Sequence, residues 1–68
     1  MDYEVKVYDI FNNTHSWYVD SKSKAREYAK RIIMEGLWYD EGETEVFLPV
    51  HEIVKVKVIN VGVIQDND

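Results

Sequence analysis

The chain holds two histidines, and each has a carboxylate near it in sequence: His15 with Asp9, and His51 with Glu52. Either pair is material for general acid–base chemistry. Adjacent residues on a strand point to opposite faces, so His51 and Glu52 form no dyad if a strand has begun there. His51 follows the Pro49 corner and is expected to bond backbone groups freed by it. Asp9 and His15 fall opposite each other if the first two strands form a hairpin, but nothing implies a pocket around them. There is no cysteine, no serine-nucleophile motif and no glycine-rich phosphate loop among the three scattered glycines. No catalytic residue is assigned, and neither a metal site nor a cofactor is expected. The expectation is a protein that is not an enzyme.

Aromatic and basic side chains say more. Tyr8, Trp17, Tyr18, Trp38, Tyr39 and Phe47 are many for 68 residues. Part of this set must fill the core, with Trp17 and one of Trp38 or Phe47 the expected occupants. The remainder stand near cations. Rings beside cations are what stacking on a base and neutralising a phosphate require, and protein interfaces use them too. The candidate ligand-binding residues are Arg26, Lys30, Arg31, Trp38, Tyr39, Tyr8, Tyr18 and His51.

These residues need a scaffold, and the pattern from Ser21 to Gly36 is its centre. Ala25, Tyr28, Ala29, Ile32 and Ile33 recur on one face of a 3.6-residue helix. Ser21 suits the N-cap and Gly36 a left-handed C-terminal stop. The opposite face is basic, with Lys22, Lys24, Arg26, Lys30 and Arg31 holding five of the eight Lys and Arg residues. Every other segment reads as strand or turn. Tyr3 to Asp9 alternates, Asn12-Asn13 marks a turn, and His15 to Val19 returns. A loop of Phe11-Asn12-Asn13 pairs Val5 with Val19 and Val7 with Trp17, which keeps all four on the core face and leaves Tyr8 and Tyr18 on the outer one. After the helix come Leu37-Trp38-Tyr39, an acidic turn at 40–43, a strand from Thr44 to Leu48, and Pro49, which ends it. Ile53 to Ile64 is the longest strand signal, with Val54, Val56 and Val58 inward. The expected class is α+β, an antiparallel β-sheet with one amphipathic helix packed on it, in the order β-β-α-β-β.

One domain spans residues 1–68, ending in a polar tail at 65–68. A core this small rarely supplies more than about 3–5 kcal/mol. Without disulfide or metal, oligomerisation is the remaining support. Strict alternation puts Ile59, Val61 and Val63 outside, where a monomer has no use for them. They are the expected oligomer interface, unless a bulge near Asn60 flips the phase. A net charge of −5 argues against binding duplex nucleic acid. No apolar run spans a bilayer, and the charged, alternating opening segment is unlike a signal peptide. The expected location is cytoplasmic.

Ser21…Ala25…Tyr28-Ala29…Ile32-Ile33…Gly36, followed by Pro49-x-His51-x-Ile53-x-x-Val56-x-Val58, resembles small orphan proteins of phages and their hosts, over roughly residues 17–58. The resemblance implies an anti-defence context in the host cytoplasm. Proteins of that kind are often inhibitors, or sponges that hold a nucleotide signal between subunits without chemistry. The first functional expectation is thus a small oligomeric binder that sequesters a nucleotide. The second is an acidic inhibitor that presents its strands or the 40–45 turn to a host protein.

Overall fold

The computed structural model describes residues 2–62. Residues 63–68, which include Val63 and the 65–68 tail, lie outside the described residues. Strand β1 (Tyr3–Asp9) is the middle of a three-stranded antiparallel sheet, flanked by β2 (Thr14–Val19) and, at the other side, β5 (Ile53–Asn60). Helix α1 (Lys22–Glu35) crosses one face of it. A separate two-stranded hairpin, β3 (Leu37–Glu41) and β4 (Thr44–Leu48), follows the helix, and a 3-10 turn at Val50–Glu52 leads into β5. The protein is α+β with the helix packed on antiparallel sheet, as the patterning predicts. Leu37–Glu41 adds a fifth strand where the sequence shows only a short post-helix segment.

Val5 and Val7 of β1 are fully buried because β1 has a strand on both sides and the helix above. With them, Ala25, Ile32, Leu37 and Leu48 make up the core, and Tyr3, Trp17, Val19, Tyr39, Ile53, Val56 and Val58 pack against it half-buried. Two pairing expectations need correcting. Val5 faces Trp17 and Val7 faces His15, so β2 sits two residues from the register anticipated from Phe11-Asn12-Asn13. The hairpin closes instead around Ile10-Phe11-Asn12, with the Asp9 N–H donating to the Asn13 carbonyl (3.1 Å) and Asn12 in the left-handed region at φ 68°. The shift is even, so every side chain keeps its face. On β5 the register slips beside Tyr8 and Asp9: Lys55 pairs with Tyr8, but Ile53 pairs with Asp9. The bulge turns Ile53 inward and leaves Val54 exposed, contrary to the expected inward Val54.

The helix ends as its sequence demands. The Ser21 hydroxyl accepts the Lys24 N–H (3.2 Å), and the Gly36 N–H closes the last turn on the Ile32 carbonyl (2.9 Å). Its buried stripe is narrower than the periodicity suggests. Ala25 and Ile32 are buried and Ala29 half-buried, whereas Tyr28 (47% exposed) and Ile33 (53% exposed) face outward. The alanines let the backbone approach the sheet closely, and at that distance only their own line along the helix touches it. Tyr28 and Ile33 project to the two flanks.

Trp38 and Phe47 are not core residues either. Leu37 pairs with Leu48, and these leucines take the inward places; alternation puts the Trp38–Phe47 pair outward, with ring centroids 4.8 Å apart.

Gly36 joins helix to hairpin at φ 91°, and a Cβ there would come within 2.7 Å of the Leu48 carbonyl oxygen and 2.8 Å of the Phe47 ring. Gly36→Ala is expected to destabilise by at least about 1–3 kcal/mol, since strained backbone adds to the clash. Urea unfolding checks it: an unchanged midpoint would mean the helix and the hairpin do not meet at this residue.

Candidate functional site

The helix lies mainly over β1 and β5, and its Tyr28 flank overhangs β2 across a gap. The gap is a cleft of about 490 Å³, floored by Val5, Trp17 and Val19, walled by Tyr28, Arg31 and Glu35 of α1, and closed at one end by Gly36, Leu37 and Trp38. Tyr18 also lines it. A smaller hollow of about 170 Å³ continues along the helix between Lys24, Glu27, Tyr28 and Arg31. Both hollows share Tyr28 and Arg31. The spacing explains the grouping: 24, 28, 31 and 35 follow one another at four, three and four residues, down one flank of the helix.

Of the candidate ligand-binding residues, the cleft unites the side chains of Arg31 and Trp38, while Tyr18 borders it from β2 with its ring on the other face of the sheet. It does not unite the others. Arg26 and Lys30 lie four apart on the opposite flank of α1, with Ile33. Tyr39 turns inward and stacks on His15, with centroids 4.3 Å apart. Tyr8 is on the far face of the sheet, where Lys55 and Lys57 place their ammonium groups 5.7 and 5.4 Å from its ring centre. Lys6 and Lys57 stand directly opposite each other on that face. Tyr8 and Tyr18 share the face but not a place: Tyr8 pairs with Thr14, and Tyr18 with Glu4. His51 sits exposed in the 3-10 turn, its Nε2 3.9 Å from a Glu52 carboxylate oxygen. The expected role of His51 falls to the backbone, because the Glu52 N–H donates to the Pro49 carbonyl (2.9 Å) and closes the corner unaided. Ile59 is half-buried on the outer face opposite Glu4, and Val61 is exposed, with its N–H on the Asp2 carbonyl (2.9 Å).

Trp17 and Tyr28 were legible as apolar positions and not as cleft walls. The signal that could have found them is the surplus of rings over what six buried side chains can enclose. Periodicity does not report how far the helix stands from each strand.

His15 and Asp9 do meet, diagonally rather than squarely, because His15 is opposite Val7. The His15 Nε2 lies 3.0 Å from Asp9 Oδ2, while Asp9 Oδ1 accepts the N–H groups of Phe11 (2.8 Å) and Asn13 (2.9 Å). Asp9 is 5% exposed, and neither residue lines the cleft. The carboxylate is occupied by the loop it closes, so the pair is a staple. Burial pushes the Asp9 carboxyl up, but the hydrogen bonds from His15, Asn13 and Phe11 and the nearby imidazole charge outweigh it and hold the pKa below its ordinary value.

Among the described residues no group of three His, Cys, Asp or Glu could hold a metal ion, and no helix is long and apolar enough to cross a membrane. Comparison of the chain with family models, curated proteins and solved structures returns no match. The cleft is therefore read from its own chemistry.

The depressed Asp9 value sets the sign of a pH effect. A group whose folded pKa is lowered contributes stability that is present above its unfolded value, about 3.9, and is lost as pH falls through the folded value. The melting temperature of the parent should therefore fall on acidification below that value. Asp9→Asn should melt lower at neutral pH and show a shallower acid limb. Parallel acid limbs in parent and variant, measured by circular dichroism, would show that the staple carries no such stability.

Proposed function

We propose that the protein is a non-enzymatic binder that sequesters a small nucleotide-type ligand in the cleft between α1 and β2. The observation that supports this most is the convergence of Trp17, Tyr28, Trp38 and Arg31 on one concavity. Its volume of about 490 Å³ falls in the range of small-molecule sites. A base stacked on an aromatic side chain gains about 1–3 kcal/mol. The planar Arg31 fork suits a phosphate. Glu35, four residues on, supplies an acceptor for an amino group or a sugar hydroxyl. The net charge of −5 disfavours long polyanions, while a single nucleotide needs only one local cation. The resemblance to phage-type proteins supplies the context: capture of a host defence signal in the host cytoplasm.

The hairpin favours a second reading. Asp40 pairs with Glu45 on the same outward face as the stacked Trp38 and Phe47, and Glu41 and Glu43 flank the exposed tip. Rings beside acids can imitate bases and phosphates to a nucleic-acid-binding protein.

Thermal-shift titration with mono-, di- and cyclic nucleotides separates the readings. A ligand at a hundredfold excess over Kd stabilises by about 2.7 kcal/mol. Arg31→Gln should weaken binding by about tenfold or more, as expected for one charged hydrogen bond, and added salt should weaken the parent. Arg26→Gln, on the opposite flank, should leave affinity unchanged. If no nucleotide shifts the parent, the hairpin reading replaces the cleft.

A further inference from the structure

Among the described residues, strand β2 pairs on one side alone, with β1. At its two ends the Asp9 N–H meets the Asn13 carbonyl and the Asp2 N–H meets the Val19 carbonyl, so odd-numbered residues direct their carbonyls at β1. Alternation then turns the N–H and C=O groups of Thr14, Ser16 and Tyr18 away from the sheet. A row of this kind is a template for another strand, and proteins blunt it with charge, proline or a bulge. The other edge, β5, has such devices: Lys55, Lys57 and the irregularity at Val54. Thr-His-Ser-Trp-Tyr-Val has none of them. It contains no Lys, Arg, Asp, Glu or Pro, its pairing to β1 is unbroken, and its histidine is turned inward on Asp9.

We infer that two copies of the chain pair antiparallel through β2, about a two-fold axis at Ser16, into one six-stranded sheet. Parity restricts the choice. Residues directly opposite each other share a face, so only a register that matches even with even and odd with odd keeps both cores on the same side. The register that uses every outward group of β2 sets Ser16 against Ser16, Thr14 against Tyr18 and His15 against Trp17. The strand order becomes β5-β1-β2-β2-β1-β5, with both helices on one face. Exposed Tyr18 is then covered by the neighbouring Thr14. Half-buried Trp17 gains the second copy's His15 beside it.

Trp17 and Val19 of the cleft floor belong to β2, the strand that the second copy joins. Two clefts thereby merge into one trough, floored by the paired β2 strands and walled by two helices, and each copy contributes floor to the other's site. The symmetry is closed, as expected for a homodimer. The dimer does not rest on the ligand reading, because the pairing groups are backbone groups at the β2 edge and not side chains of the cleft.

The test uses the full chain without ligand. Light scattering after size exclusion at high micromolar concentration should give twice the chain mass of 8.1 kDa. Ser16→Lys places two like charges on the axis and should give the single-chain mass, with the circular dichroism of the parent retained. Val61→Lys, on the aliphatic row beyond β5, should leave the dimer intact. Amide exchange reads the interface directly. The Thr14, Ser16 and Tyr18 N–H groups should exchange slowly in the concentrated parent and roughly tenfold or more faster on dilution. This measurement decides even if Ser16→Lys fails to fold. A parent mass near 8.1 kDa overturns the inference. So does a dimer in which those three amides exchange as fast as exposed ones, or one that Val61→Lys dissociates and Ser16→Lys does not. A monomer that still binds a nucleotide would sink the dimer and leave the ligand reading standing.

Discussion

The Asp9 carboxylate is the point on which most of the architecture leans. It sits at the end of the central strand, and its two oxygens close the β1–β2 loop and anchor His15. The ring of His15 in turn lies against Tyr39, which reaches over from the second sheet. One buried group thus links the β1–β2 ladder to β3 of the second sheet. The cost of burying the carboxylate is offset by three hydrogen bonds, and leaving any of the donors without it would strand a polar group in a crowded place. The same residue gives the histidine–carboxylate contact a structural purpose, since Asp9 Oδ1 holds the loop while Oδ2 meets His15.

The cleft follows from a second constraint, the size of Ala25 and Ala29. Small side chains draw the helix down onto the sheet along one line. Ile32 completes the contact, and the cores of β1 and β5 lie beneath it. A helix held that closely over one side cannot also cover β2. Trp17 and Val19 are left half-covered, and Tyr28 reaches out above them. Concavity in so small a protein is therefore a by-product of tight packing elsewhere, and the Arg31 and Glu35 positions inherit it because they occupy the same flank. The hairpin closes one end because Gly36 permits a turn that no other residue could make against Leu48 and Phe47.

Much of this was legible in the residues. Ser21 and Gly36 bound the helix, Asn12 takes the left-handed turn, Pro49 ends β4, and alternation assigns Val5, Val7, Trp17, Val19, Val56 and Val58 to one face. What alternation cannot supply is register beyond parity. A slip of two residues keeps every face, so the Asn13 closure and the diagonal His15–Asp9 contact are decided by hydrogen bonds that leave no periodic trace. The bulge at Val54 is hidden for the same reason: Ile53 and Val54 are interchangeable in an apolar pattern. The sequence points to a basic helix exterior plus rings as the candidate site. Arg31 and Trp38 belong to the cleft and Tyr18 only borders it, while Arg26, Lys30, Tyr8, Tyr39 and His51 do not. A count of cations on a helix does not distinguish its two flanks, and that distinction is a matter of where the neighbouring strand stops.

The far face of the sheet behaves quite differently from the cleft. Lys6 and Lys57 are cross-strand neighbours of like charge, and Lys55 joins them around Tyr8. Such a pair destabilises the sheet by a few tenths of a kcal/mol or more, and any anion that gathers there relieves it. The three ammonium groups are a diffuse positive patch with no shaped recess, so it distinguishes surrounding ions by charge and not by shape. Neutralising that cluster therefore favours the folded sheet, so the far face couples the protein's stability to the ions around it, independently of the cleft.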